Sequence, residues 1–213
     1  MRTSSKPTSD DRRVVFAAVS RLLQYPDDDV AEVPSMLLPV LAGLPRGSGV
    51  PLSRFLGYLS TTPLLQLQTE YVATFDMKRR NCLYLTYYLN GDTRRRGMAL
   101  WRFQDAYRQR GFSVEGGELP DFLPCVLELA SVGHEDMALA LLLEHHAGIH
   151  VLHESLLAMS SPYAQVLEAL EATLPAPTAE IRAAALTLAA EGPPAEAVGL
   201  EPFFSVDSLK VRS

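Results

Sequence analysis

Apolar positions along this chain recur at the spacing of a helix over most of its length. Val15, Val19 and Leu22, flanked by Phe16 and Leu23, form a stripe at the 3.6-residue period; Asp10 and Asp11 open it and Pro26 closes it. A second apolar segment, 30–44, contains Pro34 and Pro39 and is expected to break into short turns. Gly43, Pro45, Gly47, Gly49 and Pro51 predict a loop, followed by a short helix over 52–59. Thr62-Pro63 has the chemistry of a helix start, a threonine to cap free amides and a proline suited to the first turn. Leu64, Leu67, Tyr71 and Phe75 then share one face, with Leu65 and Val72 beside it.

The run from Cys82 to Leu89 is ambiguous, because apolar and aromatic residues fall on every face and suit a buried strand as well as a helix. Asn90-Gly91 is a good stop and Asp92-Thr93 a good start, so the segment reads as helix, turn, helix. The next helix buries Leu100, Phe103 and Tyr107 and ends at Gly111, and Leu119-Pro120-Asp121 opens another. Between Glu135 and Ser160, Leu142, His145, Ile149, Leu152 and Leu156 form one stripe, in which Gly148 is a candidate bend at about 1 kcal/mol relative to alanine. Ser160-Ser161-Pro162 restarts a helix that ends near Leu174-Pro175, and Thr178 caps a last, alanine-rich one to about Glu191. No strand alternation and no internal repeat is visible. The expectation is an all-α fold, a single-domain helical bundle over residues 1–191. Its first ten residues are expected to be flexible, and a partly mobile tail, 192–213, carries Phe203 and Phe204.

Length and composition agree with that picture. The 213 residues suit one compact core, and 47% apolar against 21% charged residues is the balance of an ordinary globule. No apolar run reaches the roughly 18 residues of a membrane span; the richest, Met137 to Leu143, is cut off by Glu144, His145 and His146. Arg12-Arg13 before an apolar run resembles a twin-arginine export signal, but acids precede it, Arg21 interrupts it and no small-residue cleavage site follows. Cys82 and Cys125 stand alone in apolar surroundings, which excludes a cysteine zinc knuckle and fits small buried hydrophobes in a reducing, cytoplasmic setting.

Charge adds an asymmetry that the net value of −6 hides. Nine bases and two acids lie between Lys78 and Arg110, whereas Glu115 to Glu201 holds fourteen acids and one base, Arg182. Such a chain can offer an acidic face to a cationic partner and a basic face to an anionic one. Of the motifs that carry chemistry, no GxGxxG, GxxxxGK[ST], GxSxG or HExxH is present. His146, His150 and His153 share a helical face with Glu154 adjacent, the spacing of a metal site, but no further ligand set is readable elsewhere. Lys78-Arg79-Arg80 and Arg94-Arg95-Arg96 flank Tyr84, Tyr87 and Tyr88, the cation and aromatic mixture of nucleic-acid binders. A pI near 5.4 argues against that reading. The simpler expectation is charge pairing across a helical hairpin among Asp76, Arg79, Arg80, Asp92 and Arg94. A helical histidine-metal enzyme and a basic-patch nucleic-acid-binding regulator are the two alternatives from other classes. No catalytic residue, no metal and no resident cofactor is expected.

One long stretch carries a resemblance. Tyr71-Val72-Ala73-Thr74-Phe75-Asp76-Met77-Lys78-Arg79-Arg80-Asn81-Cys82-Leu83-Tyr84-Leu85-Thr86-Tyr87-Tyr88, continuing into Gly91-Asp92-Thr93-Arg94-Arg95-Arg96-Gly97, resembles the signature of the NarJ-type delta-subunit chaperones of respiratory nitrate reductase. Glu118 to Pro124, Ser161-Pro162-Tyr163-Ala164 and Leu174-Pro175 are similar to the family's later segments, so the resemblance runs from the first helix to about Pro175. It implies the all-helical fold shared with TorD- and DmsD-type chaperones. It also implies a cytoplasmic job: holding the catalytic (alpha) subunit of nitrate reductase by its N-terminal leader-like peptide while the molybdenum cofactor is inserted and before the complex docks on its membrane subunit. Other molybdoenzyme assembly factors are implied as further partners, with no nucleic acid and no membrane insertion. Matched by position, an aromatic motif of the wider group falls on Tyr71, Thr74 and Phe75, with Thr74 in place of the usual leucine. An acidic motif falls on Glu118, Pro120, Asp121 and Phe122, the last replacing a histidine. The expected peptide-binding set is therefore Tyr71, Phe75, Tyr84, Tyr87, Glu118, Pro120, Asp121 and Phe122. Aromatic rings would supply apolar area, and Glu118 and Asp121 would orient a basic peptide in the helix-in-groove mode.

Overall fold

The computed structural model describes residues 6–114 and 116–194. The described residues form eleven α-helices: α1 Ser9–Leu22, α2 Val33–Leu41, α3 Arg46–Thr61, α4 Leu64–Tyr71, α5 Leu85–Asn90, α6 Arg94–Gln109, α7 Leu123–Ser131, α8 Glu135–Glu144, α9 His146–Ala158, α10 Ala164–Glu171 and α11 Ala179–Glu191. Single 3₁₀ turns lie at Asp28–Ala31 and Arg79–Asn81, and a π turn at Val72–Asp76 continues α4. The expected all-α class is what is found. Helix α1 runs against α7 and α10, α3 against α10, and α9 against α10 and α11. One apolar core results, in which Val15, Phe16, Leu52, Phe55, Leu123, Leu142 and Leu167 are wholly buried.

Local chemistry sets several boundaries. The N-terminus of α1 is held by a reciprocal pair: Thr8 Oγ1 accepts from the Asp11 amide (3.1 Å) and Asp11 Oδ2 from the Thr8 amide (2.9 Å). Helical order thus begins at Ser9, inside the stretch expected to be flexible; residues 1–5, and 195–213 with Phe203 and Phe204, lie outside the described residues. Thr178 caps α11 as expected, accepting from the Ile181 amide, and the helix ends at Glu191.

Elsewhere the structure corrects the pattern. Pro39 sits inside an unbroken α2, with Pro34 in its first turn. The loop expected around Gly43 to Pro51 is mostly helix, since α3 starts at Arg46 and Pro51 lies within it. The interior proline removes one backbone bond, at about 3 kcal/mol. Burial of Leu52, Phe55, Leu56 and Leu59 in the core contributes about 2 kcal/mol each, so packing prevails. Gly47 lets the helices meet, as a Cβ there would already lie 3.4 Å from Ala172 Cβ. Thr62 does not cap α4; its hydroxyl donates to the Tyr58 carbonyl (2.8 Å) and closes α3 instead. The long segment after Glu135 breaks at His145 rather than Gly148. His145 Nδ1 bonds back to the Leu141 carbonyl (2.9 Å) and its ring packs edge-on to Phe103, while Gly148 makes room for Tyr88.

Candidate functional site

The end of α4 builds one wall of a surface cleft. Its last turn widens to π, the Met77 amide donating to the Val72 carbonyl (3.0 Å), five residues back. Tyr71 and Phe75 therefore both point inward while Asp76 and Met77 reach the surface. Tyr71, Phe75, Tyr163 and Phe55 form a chain of rings with neighbouring centroids 4.9 to 5.0 Å apart from Tyr71–Phe75 through Phe75–Tyr163 to Tyr163–Phe55. The Tyr71 hydroxyl donates to the Leu23 carbonyl (2.9 Å), and burial pushes its pKa well up. These two residues are thus largely core, showing only an edge to the cleft. Tyr25, half exposed just beyond α1, lies edge-on to Tyr71 at 5.5 Å and carries the apolar wall outward.

The opposite wall is an extended segment where helix was expected. Leu83 and Leu85 pair with the chain around Phe122: the Leu123 amide donates to the Leu83 carbonyl (2.8 Å) and the Leu85 amide to the Asp121 carbonyl (3.0 Å). This single bridge sets the Tyr84 and Phe122 rings side by side, 5.4 Å apart. Asp121 explains why α5 starts so late. Its wholly buried carboxyl group accepts from the Thr86 amide (3.0 Å) and hydroxyl (2.6 Å), capping α5 from a distant segment. The helix expected to open at Leu119-Pro120-Asp121 consequently begins only at Leu123.

Around these walls the cleft measures about 290 Å³ and is lined by Gln24, Tyr25, Tyr71, Phe75, Asp76, Cys82, Leu83, Tyr84, Glu118 and Phe122. Two carboxylates serve it. Glu118 Oε1 accepts from the Tyr84 hydroxyl (3.0 Å) and the Leu119 amide (2.8 Å). Burial first, and then Glu118, push the Tyr84 hydroxyl up to about 12. Asp76 stands exposed on the rim and makes no ion pair among the described residues. Glu118 also borders a second hollow of about 340 Å³, where Glu128 accompanies Tyr107, Phe112, Cys125, Leu129 and Val132. Burial pushes both thiols, Cys82 and Cys125, up to about 11, which keeps them protonated and poorly nucleophilic at neutral pH.

Of the eight expected binding residues, five meet in the cleft: Tyr71, Phe75, Tyr84, Glu118 and Phe122. Asp121 and Pro120 do not. Asp121 is sealed under α5, and the buried Pro120 accepts the Tyr107 hydroxyl on its carbonyl (2.6 Å), so both hold the wall rather than face an occupant. Tyr87 lies outside, beneath the Arg96 guanidinium, which stands 5.7 and 5.8 Å from the Tyr84 and Tyr87 ring centres and 4.0 Å from Asp121 Oδ2. Charge pairing is seen at Asp92, which takes Arg79 and, from outside the expected set, Arg96, at 3.5 Å each. It does not extend to Asp76, and Arg80 instead lies along an apolar trough between α9 and α11. Arg94 opens α6 on the exposed side. Gln24, Tyr25, Asp76, Cys82 and Leu83 also line the cleft and were not among the expected binding residues; Tyr25-Pro26, an aromatic at a helix end that nothing in the stripe required, was the available signal for the first of its walls.

The histidine face has an acidic partner after all. Glu171, from α10, takes His150 Nδ1 (2.8 Å) on one oxygen and His153 Nδ1 (2.7 Å) on the other, clamping α9 to α10. His145 and His146 are buried. Among the described residues, no group of three or more His, Cys, Asp or Glu side chains is arranged to hold a metal ion. No helix among them is long and apolar enough to cross a membrane.

Fold and site together define a helical protein whose most distinctive surface is an aromatic cleft fringed with carboxylates. The chain belongs to the nitrate reductase delta subunit family, whose profile matches residues 42–184. It is 32% identical over 165 residues to the probable nitrate reductase molybdenum cofactor assembly chaperone NarJ of Bacillus subtilis, covering 77% of this chain and 90% of that protein. It is 34% identical over 118 residues to the NarJ assembly chaperone of Escherichia coli, covering 54% of this chain and 50% of the other. A similar match, 35% over 156 residues, falls within a quarter of the length (24%) of the nitrate reductase-like protein NarX of Mycobacterium tuberculosis and takes in 73% of this chain.

Proposed function

We propose that this chain is a cytoplasmic assembly chaperone of respiratory nitrate reductase, acting by binding and not by turnover. It holds the catalytic subunit through that subunit's N-terminal peptide while the molybdenum cofactor is inserted. The family and its NarJ assembly-chaperone relatives support the chaperone role. What favours the peptide is the cleft: the half-exposed ring of Tyr25 and the partly buried rings of Tyr84 and Phe122 stand there beside Asp76 and Glu118, and none of its lining residues is a base. A volume of about 290 Å³ suits a few side chains of a helix or extended segment rather than a whole cofactor. An apolar side chain would enter between the rings while a neighbouring lysine or arginine met a carboxylate.

Calorimetry with a synthetic N-terminal peptide of the catalytic subunit tests this. Saturable binding is expected, and Asp76→Lys with Glu118→Lys should weaken it by at least about tenfold, or about 1.4 kcal/mol. Both side chains lie outside the core, so circular dichroism should be unaltered. Unchanged affinity in that double variant would remove the acidic cleft from the proposal.

A further inference from the structure

Helix α6 presents a second surface of quite different character. Its inward side buries only Phe103 and Tyr107. Outward, Met98 and Trp101 lie one turn apart and are 66% and 52% exposed, flanked by the exposed Arg94 and Arg95. A large thioether and an indole left in water on one helical face carry an unfavourable hydration cost that folding does not remove. Next to the start of α6, Arg79, with an 83% exposed side chain, reaches Asp92 at 3.5 Å; the turn it belongs to also bears the 76% exposed Met77 and the exposed Lys78, whose ammonium lies 3.4 Å from Met159 Sδ. Arg95 makes no ion pair among the described residues. The protein as a whole is acidic, so this is a localised basic pole and not a general cationic character.

We propose that the outer face of α6, with the Met77–Arg79 turn, lies against an anionic lipid surface. Cations at the headgroup level with methionine and an indole inserted just below them is the arrangement that interfacial helices use. Charge complementarity selects anionic lipid over a second copy of this chain, whose matching face would be repelled. The contact is peripheral and reversible, since the apolar part is two or three side chains deep and not a span. It shares no residue with the aromatic cleft, so cleft and pole can be occupied together.

Trp101 is the single tryptophan of the chain, which makes its emission a reporter of this face. With vesicles of phosphatidylglycerol mixed into phosphatidylcholine, cosedimentation and a blue shift of Trp101 emission are expected. Affinity should be about tenfold or more above that for phosphatidylcholine alone and should fall as salt is raised. Arg95→Glu with Lys78→Glu should abolish the shift, Met98→Ser should weaken it, and neither should alter peptide binding in the cleft. Equal binding to neutral vesicles, cosedimentation without a change in Trp101 emission, or the same shift produced by inorganic phosphate alone would each overturn the proposal.

Discussion

Asp121 and Glu118 stand three residues apart in the chain and in opposite circumstances. Asp121 is wholly enclosed and holds the Thr86 amide and hydroxyl; Glu118 reaches the cleft and shares its oxygen with a tyrosine. Asp121→Ala leaves two buried donors without an acceptor and should lower stability by about 2–4 kcal/mol, read as a shift in the urea midpoint. Glu118→Ala should cost under about 1 kcal/mol and act on peptide affinity instead. Charge reversal at Asp121 would therefore report on folding, which makes Asp76 and Glu118 the informative pair for binding. The sequence places these acids near one another, yet only the pairing of the 83–85 and 121–123 segments determines which of them faces inward. That pairing joins residues far apart in the chain, and no local spacing encodes it.

At the level of helices, legibility followed how far each element depends on its own period. The stripes of α1 and α9, that of α6 except for the only partly buried Leu100, and the cap of α11 were readable because one face or one side chain decides them. The start of α3 and the break before α9 were not, because partners elsewhere decide both: Ala172 against Gly47, and Phe103 against His145. Gly148 is the sharpest case. A Cβ there would lie 2.7 Å from Tyr88 Cβ, so this glycine is a contact point between α5 and α9 and not a bend. Gly148→Ala should lower the melting temperature, overpacking at about 1–3 kcal/mol exceeding the roughly 1 kcal/mol gained in helix propensity. Gly57→Ala, in α3 with open space around its Cβ position, should raise it by the propensity gain alone.

The whole molecule carries its titratable groups in a way that makes it sensitive to acid. Burial pulls the His145 and His146 imidazoles below their ordinary value of 6.5, so they stay neutral in the fold while the unfolded chain takes up protons. Their contribution is complete above pH 6.5 and declines as the pH falls through that value. For Glu171, burial raises the carboxyl, but hydrogen bonds from His153 and His150 outweigh it and leave the group below its ordinary 4.5. That stabilisation is present above pH 4.5 and is lost as the pH falls through the lowered folded value. Urea midpoints should accordingly drop between pH 7.5 and 5.5 and again below 4.5, and His146→Leu should flatten the first step.

Two hollows with a single acid between them impose a constraint on whatever occupies them. When a cation on the aromatic side draws the Glu118 side chain toward itself, the neighbouring hollow keeps only Glu128. A stretch of chain crossing both would be read for the spacing of its bases and not merely for their number, so that shuffling an incoming sequence at constant composition should matter as much as neutralising it.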